Sequence, residues 1–386
     1  MKVSVTQDAL VKALKIVLPA VATRSTMPIL RNVLLEAKDN HLRLAATDRE
    51  LSISCWLPAQ IEKPFAATLP AKLFVDYVSS MPPERVDLKF TERTQTVEVR
   101  CASYSANIKG IDAMDYPLIP LVEDYLKDQA TSPTSFVIEP AGFRDALGVV
   151  LLAASKLTPV KVGRLSSFDL FGDSVSMAGT DGYRLSVLRL MERGAGPDRS
   201  LIAPANFLRE MGRAIGDIDT EHSFNIIATD TALVAGFHVK HVGRVEMAGS
   251  LLDVKYPEYK QIIPQAHDTR VIVDTAGLTR AVRVANLFSR DDAYRVHLCI
   301  KPDLLQVSAS GAEMGESQTE VEAQIEGEGL EIVFDGRYLM DILSQIKHPQ
   351  LVLEFTKPTR PVRMFPVGVP KDDFIHVIMP MHPPQR

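Results

Sequence analysis

Apolar residues recur along this chain with two periods, one typical of helices and one typical of strands. Leu10, Leu14, Val17 and Leu18 lie at i, i+4, i+7 and i+8, which is one face of a helix. The run Lys2–Val5 alternates with the strand period of two. The helical pattern occurs in six segments, and short alternating runs lie between them. These segments are 7–22, 71–83, 141–156, 205–215, 276–290 and 336–347.

One combination of elements is repeated three times. An alternating run enters the turn Thr180-Asp-Gly and leaves it as a second strand, which predicts a β-hairpin. A similar hairpin turn contains Thr47, and a weaker copy of the motif contains Ser310. Thr47, Thr180 and Ser310 occupy equivalent positions and are roughly 130 residues apart. The repeat predicts three homologous α+β domains. Their expected bounds are 1–125, 134–258 and 269–386, with linkers at 123–133 and 264–269 that carry no element of their own.

Composition narrows the class of protein further. The chain has 386 residues, which is long for a single core. No apolar run is long enough to span a bilayer, and the first residues read directly as a strand, so we expect a cytoplasmic protein. The three cysteines Cys55, Cys101 and Cys299 lie far apart in strand-like settings, which predicts buried, reduced thiols.

Charge is distributed unevenly. The formal net charge is −5, which taken alone disfavours a nucleic-acid partner. The six predicted helices nevertheless contain twelve basic residues and five acidic ones. A solvated helical face would explain some of this excess, but glutamate is an equally good helix former and occurs there only once. A basic helical surface on an acidic body therefore predicts contact with a polyanion, without base recognition.

An enzyme is the main rival class. Asp181 with His376 offers an acid and a base, and Asp48 with Glu50 offers a metal pair. Asp48 and Asp181, however, occupy equivalent positions in two repeats, where aspartate supports the turn. The sequence contains no glycine-rich phosphate loop and no metal-spaced cluster. We therefore expect no catalytic residue, no cofactor and no metal.

The sequences of several motifs resemble those of the bacterial sliding clamp family, the beta subunit of DNA polymerase III. The resemblance covers the whole chain and implies a head-to-tail homodimeric ring around duplex DNA, with helices lining the channel and sheets outside. It also implies that the replicative polymerase, the clamp loader and repair proteins bind through short linear peptides. The motifs that carry it are Arg24-Ser-Thr-Met-Pro-Ile-Leu30, Ala46-Thr-Asp48, Leu69-Pro-Ala-Lys72, Thr180-Asp-Gly-Tyr-Arg-Leu185, Tyr256-Pro-Glu-Tyr259 and Val377-Ile-Met-Pro-Met381.

The same resemblance implies three sets of site residues. A peptide cleft would use Leu165, Thr180, Gly182, Tyr183, Arg184, Leu185, Pro257, Ile262, Val362, Val377, Ile378, Met379, Pro380 and Met381. DNA contacts would come from Arg24, Lys72, Lys161 and Arg164, and the dimer interface from Ile108, Leu287 and Phe288. The chain departs from the family at Gln261, His382 and the tail 383–386. A peptide-binding scaffold that does not encircle DNA stays open as an alternative function.

Overall fold

The fold is described by a computed structural model that covers residues 1–127, 133–154, 165–171, 174–191, 193–216 and 223–381. The chain divides into two compact units. Unit 1 contains Met1–Arg144, Phe171–Asp173 and Glu192–Leu252, and unit 2 contains Asp145–Leu170, Ser174–Met191 and Asp253–Arg386. The expected boundaries of three domains are not tested by this division and stay a prediction.

Helices form where the apolar period predicted them. Helix α5 has the predicted bounds, and α7 begins at the predicted residue, capped by the Asp335 carboxylate, which accepts from the N–H of Arg337. Within the described residues, no helix is both long enough and apolar enough to cross a membrane. The helices are α1 Gln7–Val17, α2 Ala71–Ser79, α3 Val122–Lys127, α4 Pro140–Ala153, α5 Ala205–Ile215, α6 Thr275–Phe288 and α7 Gly336–Leu343.

Unit 1 contains two sheets. Its strands are β1 Lys2–Thr6, β2 Asn32–Lys38, β3 His41–Thr47, β4 Leu51–Pro58, β5 Gln60–Ile61, β6 Phe65–Pro70, β7 Arg85–Thr91, β8 Thr96–Cys101, β9 Tyr104–Lys109, β10 Thr134–Ile138, β14 Arg193–Ala195, β15 Arg199–Pro204, β16 Phe224–Ala228, β17 Ala232–Val239 and β18 Gly243–Ser250. One sheet has the order β5-β1-β7-β8-β9, and the other has the order β14-β10-β16-β17-β18-β4-β3-β2-β6.

Unit 2 contains a continuous run of paired strands. They are β11 Leu165–Phe171, β12 Ser174–Thr180, β13 Arg184–Met191, β19 Thr269–Asp274, β20 Arg295–Lys301, β21 Leu304–Gly311, β22 Gly315–Glu326, β23 Glu331–Asp335, β24 Gln350–Phe355, β25 Val362–Pro366 and β26 Phe374–Ile378. Their order is β11-β12-β13-β26-β25-β24-β19-β22-β21-β20-β23. Together with the helices, these sheets make the chain an α+β protein, as predicted.

The predicted hairpin recurs in all three copies, as β3–β4, β12–β13 and β21–β22. The second strand of the first hairpin, β4, also pairs antiparallel with β18, which comes later in the chain. This pairing extends from Leu51 opposite Gly249 to Trp56 opposite Arg244. In the second copy β13 pairs with β26 in the same way, from Arg184 opposite Ile378. The second strand of each of these two hairpins is therefore flanked on both sides.

Four features differ from the expectation. The long strand β22 was not predicted, and the linker 123–133 contains most of helix α3, whose Val122 and Tyr125 pack against an apolar cluster of β16 and β17. The sequence also predicts Thr6 as the N-cap of α1, but Thr6 makes no side-chain cap bond. Cys55 and Cys101 are buried as predicted, whereas Cys299 on β20 is only half-buried.

Candidate functional site

An open cavity of about 790 Å³ lies within unit 2. Four segments that are distant in sequence form its walls: the β12–β13 turn, the segment that follows Tyr259, the β24–β25 turn and the end of β26. We call this cavity the groove. It is lined by Thr180, Gly182, Tyr183, Arg184, Leu185, Gln261, Ile262, Ile263, Pro264, Gln265, Ala266, Asp268, Thr356, Lys357, Thr359, Arg360, Pro361, Val377 and Met379.

The β12–β13 turn is held by its own side chains. One carboxylate oxygen of Asp181 accepts hydrogen bonds from the N–H groups of Tyr183 and Arg184, each at 3.0 Å. The Thr180 hydroxyl donates to the carbonyl of Arg184 at 2.7 Å and accepts from the N–H of Gly182. Gly182 has φ +90°, a conformation that favours glycine. The turn is therefore preorganised, and it leaves the Tyr183 ring 61% exposed beside the groove.

The equivalent aspartate of the first copy has the same role. Asp48 accepts from the N–H groups of Glu50 and Leu51 at 2.9 and 2.8 Å. The prediction that Asp48 and Asp181 support turns is confirmed, so neither is left for acid–base chemistry. Among the described residues, no group of three or more His, Cys, Asp or Glu side chains is placed to hold a metal ion.

His376, the other residue of the rival catalytic pair, is fully buried in β26. Its Nδ1 lies 2.8 Å from the hydroxyl of Ser186 on β13. Burial, assisted by the positive charge of Arg184, lowers the pKa of His376 from 6.5 to about 3. The imidazole is therefore neutral at physiological pH, and it has no access to a substrate.

Arg184 is occupied by three contacts. Its Nε donates to Asp181 at 3.1 Å, a terminal nitrogen donates to Asp341 of α7 at 2.6 Å, and the guanidinium lies 4.3 Å from the centre of the Tyr338 ring. Only 9% of the Arg184 side chain is exposed. Arg184 lines the groove and joins the hairpin to α7, and the peptide contact that the resemblance implies for this residue stays a prediction.

The groove has an apolar floor and apolar rims. Leu185 and Val377 are buried in the floor, in a cluster that includes Tyr259. The burial of Tyr259 raises its pKa to about 12, so the ring stays neutral. Ile262 and Met379 form the rims and are 51% and 42% exposed. Exposed apolar side chains around a preformed cavity are typical of a ligand site.

The rest of the expected cleft residues lie elsewhere. Val362 and Ile378 are buried and face each other across the β25–β26 ladder, so they support the floor from within. Pro257 is exposed, and Met381 is held by a hydrogen bond from its N–H to the carbonyl of Val333 at 2.8 Å. The lining of the groove does not include Pro257, Val362, Ile378, Pro380 or Met381. The side chain of Leu165 lies outside the described residues.

Sequence reasoning missed the β24–β25 turn and most of the segment 263–268. Both were read as connections without an element, and the segment 263–268 was read largely as a linker. The run Thr356-Lys-Pro-Thr-Arg-Pro361 does contain a usable signal, because two cations and two prolines stand between two predicted strands. Nothing in the sequence, however, places this turn opposite Ile262 or Tyr183.

The expected DNA-contacting residues lie on exposed surface where they are described. Arg24 and Lys72 are both exposed in unit 1, and neither forms an ion pair with a residue in the described part of the chain. A second basic surface of unit 1 contains Lys12, Lys15 and Lys240 around a cavity of about 440 Å³. Lys161 and Arg164 lie outside the described residues.

The expected interface residues differ in exposure. Leu287, near the end of α6, is 52% exposed, and Phe288 is partly exposed. Ile108 on β9 is 5% exposed, so its side chain already belongs to the core of unit 1. Among the described residues, strand β9 pairs with β8 on one side only, and residues 315–322 of β22 pair only with β21. Two strand edges are therefore open.

Comparison with known proteins gives a consistent result along the chain. Residues 1–120 match the sequence profile of the N-terminal domain of the DNA polymerase III beta subunit, and residues 260–382 match that of its C-terminal domain. A curated relative, the beta sliding clamp of Bacillus subtilis, is 28% identical over 395 residues, which cover 99% of each chain.

Solved structures share the fold. The DNA polymerase sliding clamp of Bacillus subtilis superposes with a TM-score of 0.88 at 24% identity and covers 99% of both chains. A sliding clamp of Pseudomonas aeruginosa, bound to griselimycin, gives a TM-score of 0.87 at 23% identity with the same coverage. At these identities the structural likeness establishes the fold alone, while the two profiles, which together match more than half of the chain, establish the family.

Proposed function

The chain belongs to the DNA polymerase III beta-subunit family of sliding clamps, and from this premise we propose that two copies close head to tail around duplex DNA while the groove holds peptides of the tethered enzymes. As a member of this family it is a processivity factor and not an enzyme. The observation that carries the peptide-binding part is the groove itself, with its preorganised turn, buried apolar floor and exposed rims of Ile262 and Met379.

The internal repeat supports a dimer. In two of the three copies, the second strand of the hairpin pairs with a strand equivalent to β9, as β4 does with β18 and β13 does with β26. The third hairpin strand, β22, and the strand β9 are left with open edges. Open edges readily accept another strand. Pairing β9 of one copy with residues 315–322 of the other would repeat the same junction, and a twofold axis would supply it twice.

The exposed apolar residues of α6 fit this arrangement. Leu287 and Phe288 follow one another at the end of that helix, and Leu287 is half-exposed in a position that nothing in the described chain covers. The buried Ile108 would then act by shaping β9 and not by direct contact. Three repeats per chain and two chains would complete a ring.

The basic helices support sequence-independent contact with DNA. Lys72 on α2 and Lys12 and Lys15 on α1 are exposed cations on a chain whose net charge is −5. Phosphate contacts of this kind hold the duplex without reading bases. A scaffold that only bound peptides would have no use for such a surface, so the alternative function is disfavoured.

The groove would receive the replicative polymerase subunit, the clamp loader and repair proteins in turn. An apolar cavity of this size accepts a few side chains of a short linear peptide, and backbone groups near the turn would fix its direction. Because one groove serves each chain, partners would compete for it. These encounters belong to the cytoplasm, where the replicating DNA of a bacterium lies.

Retention on circular DNA tests the ring. We expect the chain, loaded by its clamp loader onto a nicked circular plasmid, to stay bound through gel filtration and to be lost when the plasmid is linearised. Changing Leu287→Asp and Phe288→Asp should abolish retention, because unpaired carboxylates in an apolar interface cost about 3 kcal/mol or more and would give monomers in sedimentation. Equal retention on circular and linear DNA would contradict encirclement.

A further inference from the structure

The β24–β25 turn gives one end of the groove a positive charge. Lys357 and Arg360 both line the groove and are both exposed. The N–H of Arg360 donates to the carbonyl of Lys357 at 3.0 Å, with Pro358 at the second position, as in a β-turn. A β-turn holds its first and fourth Cα atoms within about 7 Å of each other. The two cations are therefore kept close together by the backbone.

Neither cation is neutralised. Within the described part of the chain, no carboxylate lies within ion-pair distance of Lys357 or Arg360. Arg184 also lines the groove, but Asp181 and Asp341 compensate its charge. Asp268 is the remaining acidic residue of the lining. The uncompensated charges at this end of the groove are thus two positive and one negative.

The turn does not need these cations for its own stability. The strand pair β24–β25 corresponds to β7–β8 in the first repeat and to β16–β17 in the second. The first connection reads Glu92-Arg-Thr-Gln95, and the second reads Thr229-Asp-Thr231 with Asp230 paired to Arg199. Both turns form with acidic or mixed residues. Two cations without an acidic neighbour occur only in the turn that borders the groove, so a role in binding accounts for them better than a role in folding.

We propose that Lys357 and Arg360 form a carboxylate clamp that selects peptides carrying an aspartate or glutamate side chain beside their apolar anchor. The inference rests on the proposed peptide-binding function of the groove. The apolar rims formed by Ile262 and Met379 would hold the anchor, while the turn receives the charge. A side chain is the expected source of the carboxylate, because residues 357–360 are all exposed and leave the peptide free to continue past the turn.

Synthetic peptides test this selection on the full-length protein. The probes are fluorescein-labelled, C-terminally amidated decapeptides with a Leu-Phe anchor, in which aspartate or asparagine is placed at each flanking position in turn. At low salt, fluorescence anisotropy should show one position where aspartate binds about three- to tenfold more tightly than asparagine, as expected for two exposed ion pairs. The preference should shrink in 0.5 M salt, because salt screens exposed charges.

Matched variants identify the residues that cause the preference for aspartate. In Lys357→Gln with Arg360→Gln, the ratio of aspartate-peptide to asparagine-peptide affinity should fall to about one. The control Lys255→Gln with Arg290→Gln removes the same charge at exposed positions that do not line the groove, and it should keep the preference. A preference that survives loss of the turn cations, or that the control also loses, overturns the proposal.

Two further outcomes separate this inference from the function on which it rests. If asparagine and aspartate peptides bind equally at every position, the groove binds peptides but the clamp does not exist. If no peptide binds at all, the proposed function of the groove fails with it. If a peptide binds with a free C-terminal carboxylate but not in its amidated form, the groove recognises a terminal carboxylate and not a side-chain carboxylate. That result also contradicts the proposal.

Discussion

The buried His376 should make unit 2 sensitive to acid. Its imidazole is completely enclosed in β26, its Nδ1 meets the Ser186 hydroxyl, and its Nε2 has no hydrogen-bond partner among the described residues. Nearby Arg184 adds a positive charge, and Met364 faces the histidine across the β25–β26 ladder. Protonation would place an unsolvated cation in this setting. The folded state therefore disfavours protonation, which lowers the pKa of His376 to about 3.

The sign and size of the effect follow from linkage. Between pH 6.5 and about 3 the unfolded chain binds a proton at this residue and the folded chain does not, so stability falls as the pH is lowered. Each unit of pKa difference corresponds to about 1.4 kcal/mol. The loss should be about 2 kcal/mol at pH 5 and about 4 kcal/mol near pH 3, relative to neutral pH. That is a large part of the stability of a typical domain.

A double variant isolates this contribution. His376→Leu alone would leave the Ser186 hydroxyl buried without its partner, so Ser186→Ala accompanies it, since replacing both partners by apolar groups is nearly neutral. Urea unfolding is monitored by pulsed hydrogen exchange with mass spectrometry. This measurement gives the free energy of unfolding for peptides of β26 separately from that for peptides of β4 in unit 1. At pH 7.5 the variant should be close to wild type, and at pH 5 its β26 peptides should be about 2 kcal/mol more stable than those of wild type.

Peptides of β4 serve as the internal control, because they belong to the unit that does not contain His376. All other titrating groups are common to both proteins and cancel in the comparison. Parallel pH profiles of wild type and variant in β26 would refute the reasoning. So would a variant that loses stability more steeply in acid than wild type does.

Two predictions concern the proposed surfaces. Arg24→Glu with Lys72→Glu should weaken DNA association alike for different sequences and reduce the salt dependence of binding by about two counterions, measured by filter binding over a salt series; a strongly sequence-dependent defect would contradict it. Deleting residues 379–386 removes the Met379 rim and its hydrogen bond to Tyr183, so peptide affinity in anisotropy should fall by about 2 kcal/mol or more, whereas deleting only 383–386 should leave it unchanged.

Elements with a strong apolar period could be predicted from the sequence. Helix α5 was placed to the residue, and the first two hairpins were recognised because their turns repeat. Strand β22 was missed although Val321, Ala323 and Ile325 alternate with polar residues in its second half, because the inward positions of its first half are Ser317 and Thr319, and neither is buried. Its place is set by pairing with β21 and β19, and alternation alone could not supply that information.

Helix α3 illustrates the same limit in a linker. The six residues Val-Glu-Asp-Tyr-Leu-Lys carry three charges and offer no helical face long enough to predict. Two tertiary contacts decide the outcome: Val122 and Tyr125 cover an apolar cluster, and the N–H of Val122 donates to the Glu246 carboxylate at 3.0 Å. Such contacts override a weak local preference.

The candidate site was partly accessible to sequence reasoning. The resemblance named Thr180 and Leu185 of the groove, and the repeat predicted the hairpin on which both residues lie. The groove residues Lys357 and Arg360 were not named, because they lie in a turn that neither the repeated hairpin nor the family motifs include. Strand pairing fixes the scaffold of all three copies, and the connecting turns are free to vary on it. The positions where equivalent turns differ in charge are therefore where binding specificity should be sought in this chain.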